Sequence, residues 1–318
     1  MKGIKPVQET IALLLRATLL PVIIREFFQV NRVTIIAYHR ISAKLFESHM
    51  RYLIKNYSII SLEEFIKAKY KKHPERLPSK PIVITIDDGA KSNYALKYVL
   101  RKYEIPVTIF VCSDIVGTSR HFWFSHRDEV KTDLKVVPDT ERLKLLSQVG
   151  FDEQKDYGAP ETLSKEQLHE LLDSGVSIQS HTLTHPILPM CDDLKAEKEI
   201  SKSRADLENR FGAPVVCFAY PNGDYLPRDV HYCKRAGYLA AVTMEAGFND
   251  INTDVYRLKR ISICDNASIN QLAVRACGLW DFLKGILRPQ MLRDRLPRSK
   301  SDKRQVEGEK RGLEKSHR

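Results

Sequence analysis

Ile82-Val83-Ile84-Thr85-Ile86-Asp87-Asp88-Gly89 is a short β-branched run that stops abruptly at two carboxylates and a glycine. A run this uniform, with no polar alternation, reads as a strand buried on both faces, the kind found in parallel sheets. Similar runs predict strands over 33–38, 107–111, 176–179, 215–219, 239–243 and 258–263. Between them, 3.6-residue patterns predict helices over 44–56, 62–69, 92–103, 165–173, 194–211, 228–236 and 269–280. Ser164, with Gln167 three residues on, forms a capping-box start, and Gly175 supplies a stop. Strand–helix alternation implies a parallel α/β sheet, and about seven repeats suit a closed or nearly closed β/α barrel better than a doubly wound sheet. No GxGxxG or GxxxxGK loop follows any strand, so nucleotide binding has no support.

Composition agrees with a folded chain: 43% of the 318 residues are hydrophobic and 29% charged. The net charge of +11 suggests nucleic acid until it is located. Residues 288–318 hold eleven Lys and Arg against five Asp and Glu, a net of +6. More than half the excess is therefore a tail, expected to be disordered and basic, and no specific nucleic-acid partner is expected. The six cysteines form no CxxC pair and suggest no disulfide framework, which mildly favours a reducing compartment. Residues 11–24, IALLLRATLLPVII, follow the cationic start MKGIK. Arg16 interrupts this run, Pro21 breaks it, and no small-x-small cleavage site follows. An amphipathic helix on the domain or a membrane surface, an uncleaved anchor and a targeting signal all stay open.

In β/α barrels chemistry gathers at the carboxyl ends of strands. Here those ends carry Tyr38-His39, Asp87-Asp88, Ser180-His181 and Pro221-Asn222-Gly223. Neighbours on an extended chain point opposite ways, so one aspartate can hold a metal while the other acts as a base. Asp and Gly also favour plain turns, so this segment alone decides nothing. Ser180-His181-Thr182-Leu183-Thr184-His185-Pro186 has HxxxH spacing, which would set both imidazoles on one side of a helical turn. Chance surface histidines would give the same spacing. One carboxylate and two imidazoles make a ligand set suited to Zn2+, and Co2+, Ni2+, Mn2+ or Fe2+ would also fit.

Taken together and in order, ITIDDG, SHTLTHP and FAYPNG resemble the motifs of the polysaccharide deacetylase family, the NodB homology domain or carbohydrate esterase family four. The resemblance covers roughly 33–265. It implies a distorted (β/α)7 barrel and removal of N-acetyl groups from N-acetylglucosamine-type sugars in a polysaccharide or glycolipid. It further implies Asp87 as general base, Asp88, His181 and His185 as metal ligands, and a metal-activated water as nucleophile. The oxyanion donor would be the main chain of Asn222, with Tyr220 and Gly223 beside it, the glycine admitting close approach of substrate. Two departures stand out. Many relatives orient the base with an arginine where this chain has Ala219, and many use a late histidine as acid where 258–263 has none. Tyr38-His39-Arg40-Ile41 resembles the YHxI start of an exopolysaccharide-deacetylase branch, which implies His39 as the acid, against a reading in which it only braces the barrel.

Trp123, within Phe122-Trp123-Phe124, is a candidate to stack on sugar rings or to plug the barrel. Asn93 reads as a helix-start support, and His121, His126, His169 and His231 as surface or packing residues. The expected division is a helical segment over 1–31, the deacetylase domain over 32–287 and the tail over 288–318. The expected location is cytoplasmic or peripheral on the inner membrane face, with export open. An amidohydrolase acting on a non-sugar C–N bond, and a silent carbohydrate-binding protein on the same fold, are the alternatives.

Overall fold

Three parallel strands at the centre are buried along their whole length: β1 (Thr34–Tyr38), β3 (Pro81–Ile86) and β4 (Val107–Val111). A short β2 (Ser58–Ile59) pairs with β3 to the side. β5 (Ser177–Ser180), β6 (Cys217–Ala219), β7 (Ala240–Val242) and β8 (Ile261–Ser262) complete a sheet in the order β7-β6-β5-β4-β3-β1-β8, every pairing parallel. Ahead of β8, Leu258 bridges back to Val242. At this seam an isolated bridge and a few backbone bonds, such as Arg260 N to Glu245 O, replace a regular strand pairing, which makes the barrel distorted rather than even. These relations come from a computed structural model that describes residues 4–287. The tail expected over 288–318 lies outside the described residues.

Helices cover the outer face. α1 (Ile4–Ala17), α2 (Leu20–Ile23) and a π turn at Ile24–Phe28 precede the barrel. α3 (Ala43–Asn56), α4 (Leu62–Lys71) and α5 (Lys97–Tyr103) alternate with the first strands. α6 (Asp139–Ser147) and α7 (Lys165–Leu172) separate β4 from β5, the latter opened by the expected Ser164–Gln167 capping box. α8 (Asp193–Phe211), α9 (Pro227–Arg235) and α10 (Ile269–Ala276) follow. α11 (Leu279–Leu287) crosses from the compact unit Met1–Asp281 into a second unit beginning at Phe282.

Side-chain alternation sorts the core into two layers. Val33, Ile35, Val83, Phe110, Cys217, Ala219, Val242 and Leu258 fill the barrel interior. Ile36, Tyr38, Ile84, Ile86, Ile109 and Ile261 pack outward beneath the helices. Sequence reading missed β2 and α6, whose short or mixed patterns carry little periodicity, and it ran one helix over 269–280. That helix breaks at Gly278, which adopts φ 75 and leaves α10 and α11 as separate elements.

The N-terminal segment is helical, as one of the open readings had it, and docks through polar groups. Glu9 accepts from Ser268 and from Asn270 (2.8 Å), while Arg16 donates to Asn270 (2.7 Å). Gln29, fully buried, donates to Thr34 Oγ1 and Ala276 O. No helix among the described residues is long and apolar enough to cross a membrane. All six cysteines are free, and only Cys264 is exposed.

Candidate metal centre and active site

At the carboxyl end of β3 the backbone leaves the extended region: Asp88 takes φ 71 and Gly89 φ 60. The turn needs glycine at position 89, where a Cβ would come within 2.7 Å of Val111 Cγ1. Asp87 keeps the inward phase of Val83 and Thr85, so its carboxylate enters the top of the barrel. Asp88 turns toward the loop after β5. That loop carries both histidines, and it is not helical as expected from their spacing. Thr182 and His185 adopt φ 74 and 63, and the loop is pinned instead by Thr182 Oγ1 accepting from the His185 N–H at 2.9 Å. Left-handed residues wind the chain so that both rings face Asp88 without a helix.

Asp88 Oδ1 lies 3.7 Å from His181 Nε2 and 3.6 Å from His185 Nε2. The three donor atoms fall within 4.8 Å of one another, all on buried side chains, and Asp88 Oδ1 has no hydrogen-bond partner. Two donors each about 2.1 Å from one ion at a tetrahedral angle stand about 3.4 Å apart, so this trio fits a divalent cation. His181 Nδ1 lies 2.7 Å from the Ala219 carbonyl, which fixes the tautomer with a proton on Nδ1 and leaves Nε2 as the free donor. Burial pushes both imidazoles down to about 4, and for His181 the neighbouring His185 adds to it, so both are neutral at pH 7, the form in which imidazole binds a metal. Burial raises the Asp88 carboxyl, as expected for a carboxylate without a compensating partner.

Asp87 has such a partner. Arg260, fully buried, grips it through two bonds of 2.7 and 2.8 Å and donates also to Thr85 Oγ1 and Thr243 O. Burial opposes ionisation of Asp87, but Arg260 and then His181 outweigh it and hold the carboxyl well below the usual range. An arginine therefore does reach the Asp87 carboxylate, from the strand segment leading into β8 rather than from position 219. Ala219 contributes its carbonyl to His181 instead. Sequence reading missed Arg260, although the alternation Leu258-Arg260-Ser262 gives it the inward phase of Leu258.

His39, Asp87, Asp88, Trp123, Phe124, Arg127, Lys135, His181, His185, Asn222 and Met244 line one open cavity. The backbone of His39 is clamped from both sides, its N–H donating to Asp265 (3.0 Å) and its carbonyl accepting from Asn93 (2.9 Å). Asn93 is thus a brace for the His39 segment rather than for a helix start alone. Asn222 sits at φ 55 beside the cavity. Two expectations for its neighbours are corrected. Tyr220 is buried with its hydroxyl on Tyr256 O and its ring stacked on Tyr225, turned away from the cavity by the outward phase of its strand. Gly223 does admit a close approach, but of the Met244 backbone: a Cβ there would lie 2.3 Å from Met244 N.

Trp123 is both a wall of the cavity and a packed, hydrogen-bonded residue. It lines the cavity, and its indole N–H donates to the His185 carbonyl at 2.8 Å. Arg142 of α6 lies over its ring at 4.8 Å, and Phe124 meets His185 edge-on at 5.0 Å. Glu199 of α8 is a second support that sequence reading missed. Its buried carboxylate accepts from Leu183 N, Thr184 N and Thr184 Oγ1 at 2.8–3.0 Å, spanning the loop between the two histidines. Burial lifts this carboxyl to about 7 even though the Thr184 donors oppose the shift. Glu199→Ala would strand those donors, each worth about 1–3 kcal/mol. A loss of about 2–4 kcal/mol in urea unfolding is the expected result, and an unchanged midpoint would show that the loop holds itself.

The family model described as polysaccharide deacetylase matches residues 75–241. A Bacillus subtilis (strain 168) protein, YxkH, named for that family, is 26% identical over 248 residues, covering 74% of this chain and 73% of its own. The poly-beta-1,6-N-acetyl-D-glucosamine N-deacetylase of Staphylococcus aureus is 22% identical over 241 residues, 72% of this chain and 69% of that one. Among solved structures, the Streptococcus pyogenes deacetylase PplD in complex with acetate superposes with a TM-score of 0.58 at 21% identity, over 77% of this chain and 98% of that one. With a matched stretch that spans the aspartate pair, the histidine loop and Asn222, on a distorted parallel barrel of the same fold, this chain belongs to the polysaccharide deacetylase family of hydrolases.

Proposed function

We propose that the chain is a metal-dependent N-deacetylase of N-acetylglucosamine-type sugars in a polysaccharide or glycolipid. The reading is carried by the pairing of two carboxylates with opposite environments in one cavity. Asp88 has no hydrogen-bond partner on Oδ1 and faces two neutral imidazoles, while Asp87 is held ionised by Arg260. Asp88, His181 and His185 would hold a divalent cation, Zn2+ by the chemistry of a mixed nitrogen and oxygen set. Bound there, such an ion supplies a Lewis acid for the acetyl carbonyl and an acidified water.

The remaining work falls to this chain's own residues. Asp87, ionised and oriented, accepts the proton of the attacking water. His39, fixed through its backbone, presents its imidazole to the cavity to protonate the leaving amine. The main chain at Asn222 is placed on the cavity wall to stabilise the developing oxyanion. Trp123 and Phe124 offer apolar surface for a sugar ring. The substrate named for the staphylococcal relative, a polymer of N-acetyl-D-glucosamine, is the basis for the sugar class.

Acetate release from N-acetylated oligosaccharides, β-1,4- and β-1,6-linked, tests the proposal on chelator-stripped protein restored with individual divalent metals. Activity should return with metal, and Asp88→Ala and His181→Ala should each lose both bound metal and turnover. Full activity in chelator, or hydrolysis of small amides with no acetate from any glycan, would overturn it.

A further inference from the structure

We infer that the N-terminal helical face, residues 7–28, binds the surface of an anionic lipid bilayer. The orientation of this segment is inverted relative to an ordinary surface helix, which turns its apolar stripe toward the core. Here the inward side is mostly small or polar: Ala12, Pro21, Arg25 and Gln29 are buried, Leu15 and Ile24 half-buried, and Glu9 and Arg16 are bonded to α10. Long apolar side chains point to solvent instead. Of eighteen exposed large hydrophobic residues among those described, ten fall within 7–28, including Leu14 at 63% exposure, Leu19 at 62% and Phe27 at 77%. A typical soluble surface scatters such residues singly, and a contiguous group marks an interaction site.

Local geometry maintains the arrangement. Leu19 links α1 to α2 in the left-handed region at φ 61, a conformation a leucine rarely adopts. The π turn at Ile24–Phe28 sets Phe27 and Phe28 both outward, although they are adjacent in sequence. Neither helix can cross a bilayer, so this face lies on a membrane rather than through it.

Charge identifies the occupant. Residues 1–32 contain Lys2, Lys5, Arg16, Arg25 and Arg32 against Glu9 and Glu26. Both glutamates are engaged by the protein, Glu9 with Ser268 and Asn270, Glu26 with Arg25 and Lys80 at 2.8 Å. The segment thus carries a net charge of +3 beside an exposed apolar face, which favours aliphatic chains beneath anionic rather than neutral headgroups. Glu9 meets the chain at Ser268, three residues past the Asp265 that holds the His39 backbone. The apolar face thus begins beside a loop that serves the catalytic cavity.

Flotation of the full chain with vesicles tests the inference, using phosphatidylcholine alone and phosphatidylcholine with about 30% phosphatidylglycerol. The wild-type chain should float with the mixed vesicles. Leu14→Ser/Phe27→Ser, with the basic tail still in place, should lower the partition coefficient by roughly tenfold or more. The thermal midpoint and acetate release from soluble oligosaccharide should stay unchanged, because neither residue touches the core or the cavity. As a second readout, Phe27→Trp should gain an emission component that brominated lipid quenches. Equal binding by the double variant, no flotation of the wild type, or a self-associated dimer abolished by the same variant without any vesicle binding would overturn the inference, the last assigning the face to a second copy of the chain.

Discussion

Asp87→Asn should lower acetate release by about 10²–10⁴-fold, the usual contribution of a positioned general base, while leaving the metal content of the purified protein unchanged. The basis is a division of labour between adjacent residues. Asp88 faces His181 and His185, whereas Asp87 faces Arg260. An amide at position 87 keeps an oxygen for Arg260 but cannot accept a proton. Arg260 also retains Thr85 Oγ1 and Thr243 O as acceptors, so the folded variant should be recoverable. Metal analysis beside the acetate assay separates the outcomes. If the asparagine variant loses its metal, the two aspartates have exchanged roles.

Arg260→Met should be the most destabilising single change at the site. It leaves the Asp87 carboxylate without its charge partner in a pocket where the pair's side chains are 0% and 3% exposed. Breaking a buried pair from one side costs about 3–5 kcal/mol, mostly because the remaining charge is uncompensated. Turnover should fall as well, since the base is no longer oriented. The double variant Asp87→Asn/Arg260→Met removes the stranded charge and should recover part of the lost stability in urea or thermal unfolding. Additive losses in that cycle would mean that Arg260 acts through packing on Phe110, over which it lies at 5.6 Å, rather than through Asp87.

These two residues also mark where the sequence was sufficient and where it was not. Asp87 was legible because two carboxylates ended a continuous apolar run and stood in order with SHTLTHP and FAYPNG, whereas the run alone was equally compatible with a plain turn. Arg260 did not, because Leu258-Lys259-Arg260-Ile261-Ser262-Ile263 looks like an ordinary strand with a basic middle. Its inward phase was present in the alternation, but the partner lies 173 positions away and no local pattern connects them. Glu199 and Arg142 were hidden for the same reason: each supports the histidine loop or Trp123 from a helix whose sequence reads as a charged surface.

The histidine loop shows a different limit. Spacing alone suggested a helical turn, since HxxxH and a 3.6-residue period coincide. The chain meets the same geometric demand with two left-handed residues and a Thr182 hydroxyl. Ligand type was written in the sequence, and backbone path was not. The N-terminal segment repeats the lesson at larger scale. Its amphipathic character was legible, but which side faced the barrel depended on Ser268 and Asn270, and these polar partners reversed the usual orientation.

By itself, then, the sequence determined the main alternation of strands and helices apart from β2, α6 and the break before α11, the parallel barrel class and the residue types at the strand ends, because periodicity and chemical identity are local properties. Tertiary structure alone decided that Asp88, His181 and His185 share one point, that an arginine from the last strand segment secures Asp87, and that Tyr220 turns away from the cavity. Those outcomes depend on the closure and stagger of the barrel, which sum contributions from every strand and so have no signature in any single stretch of chain.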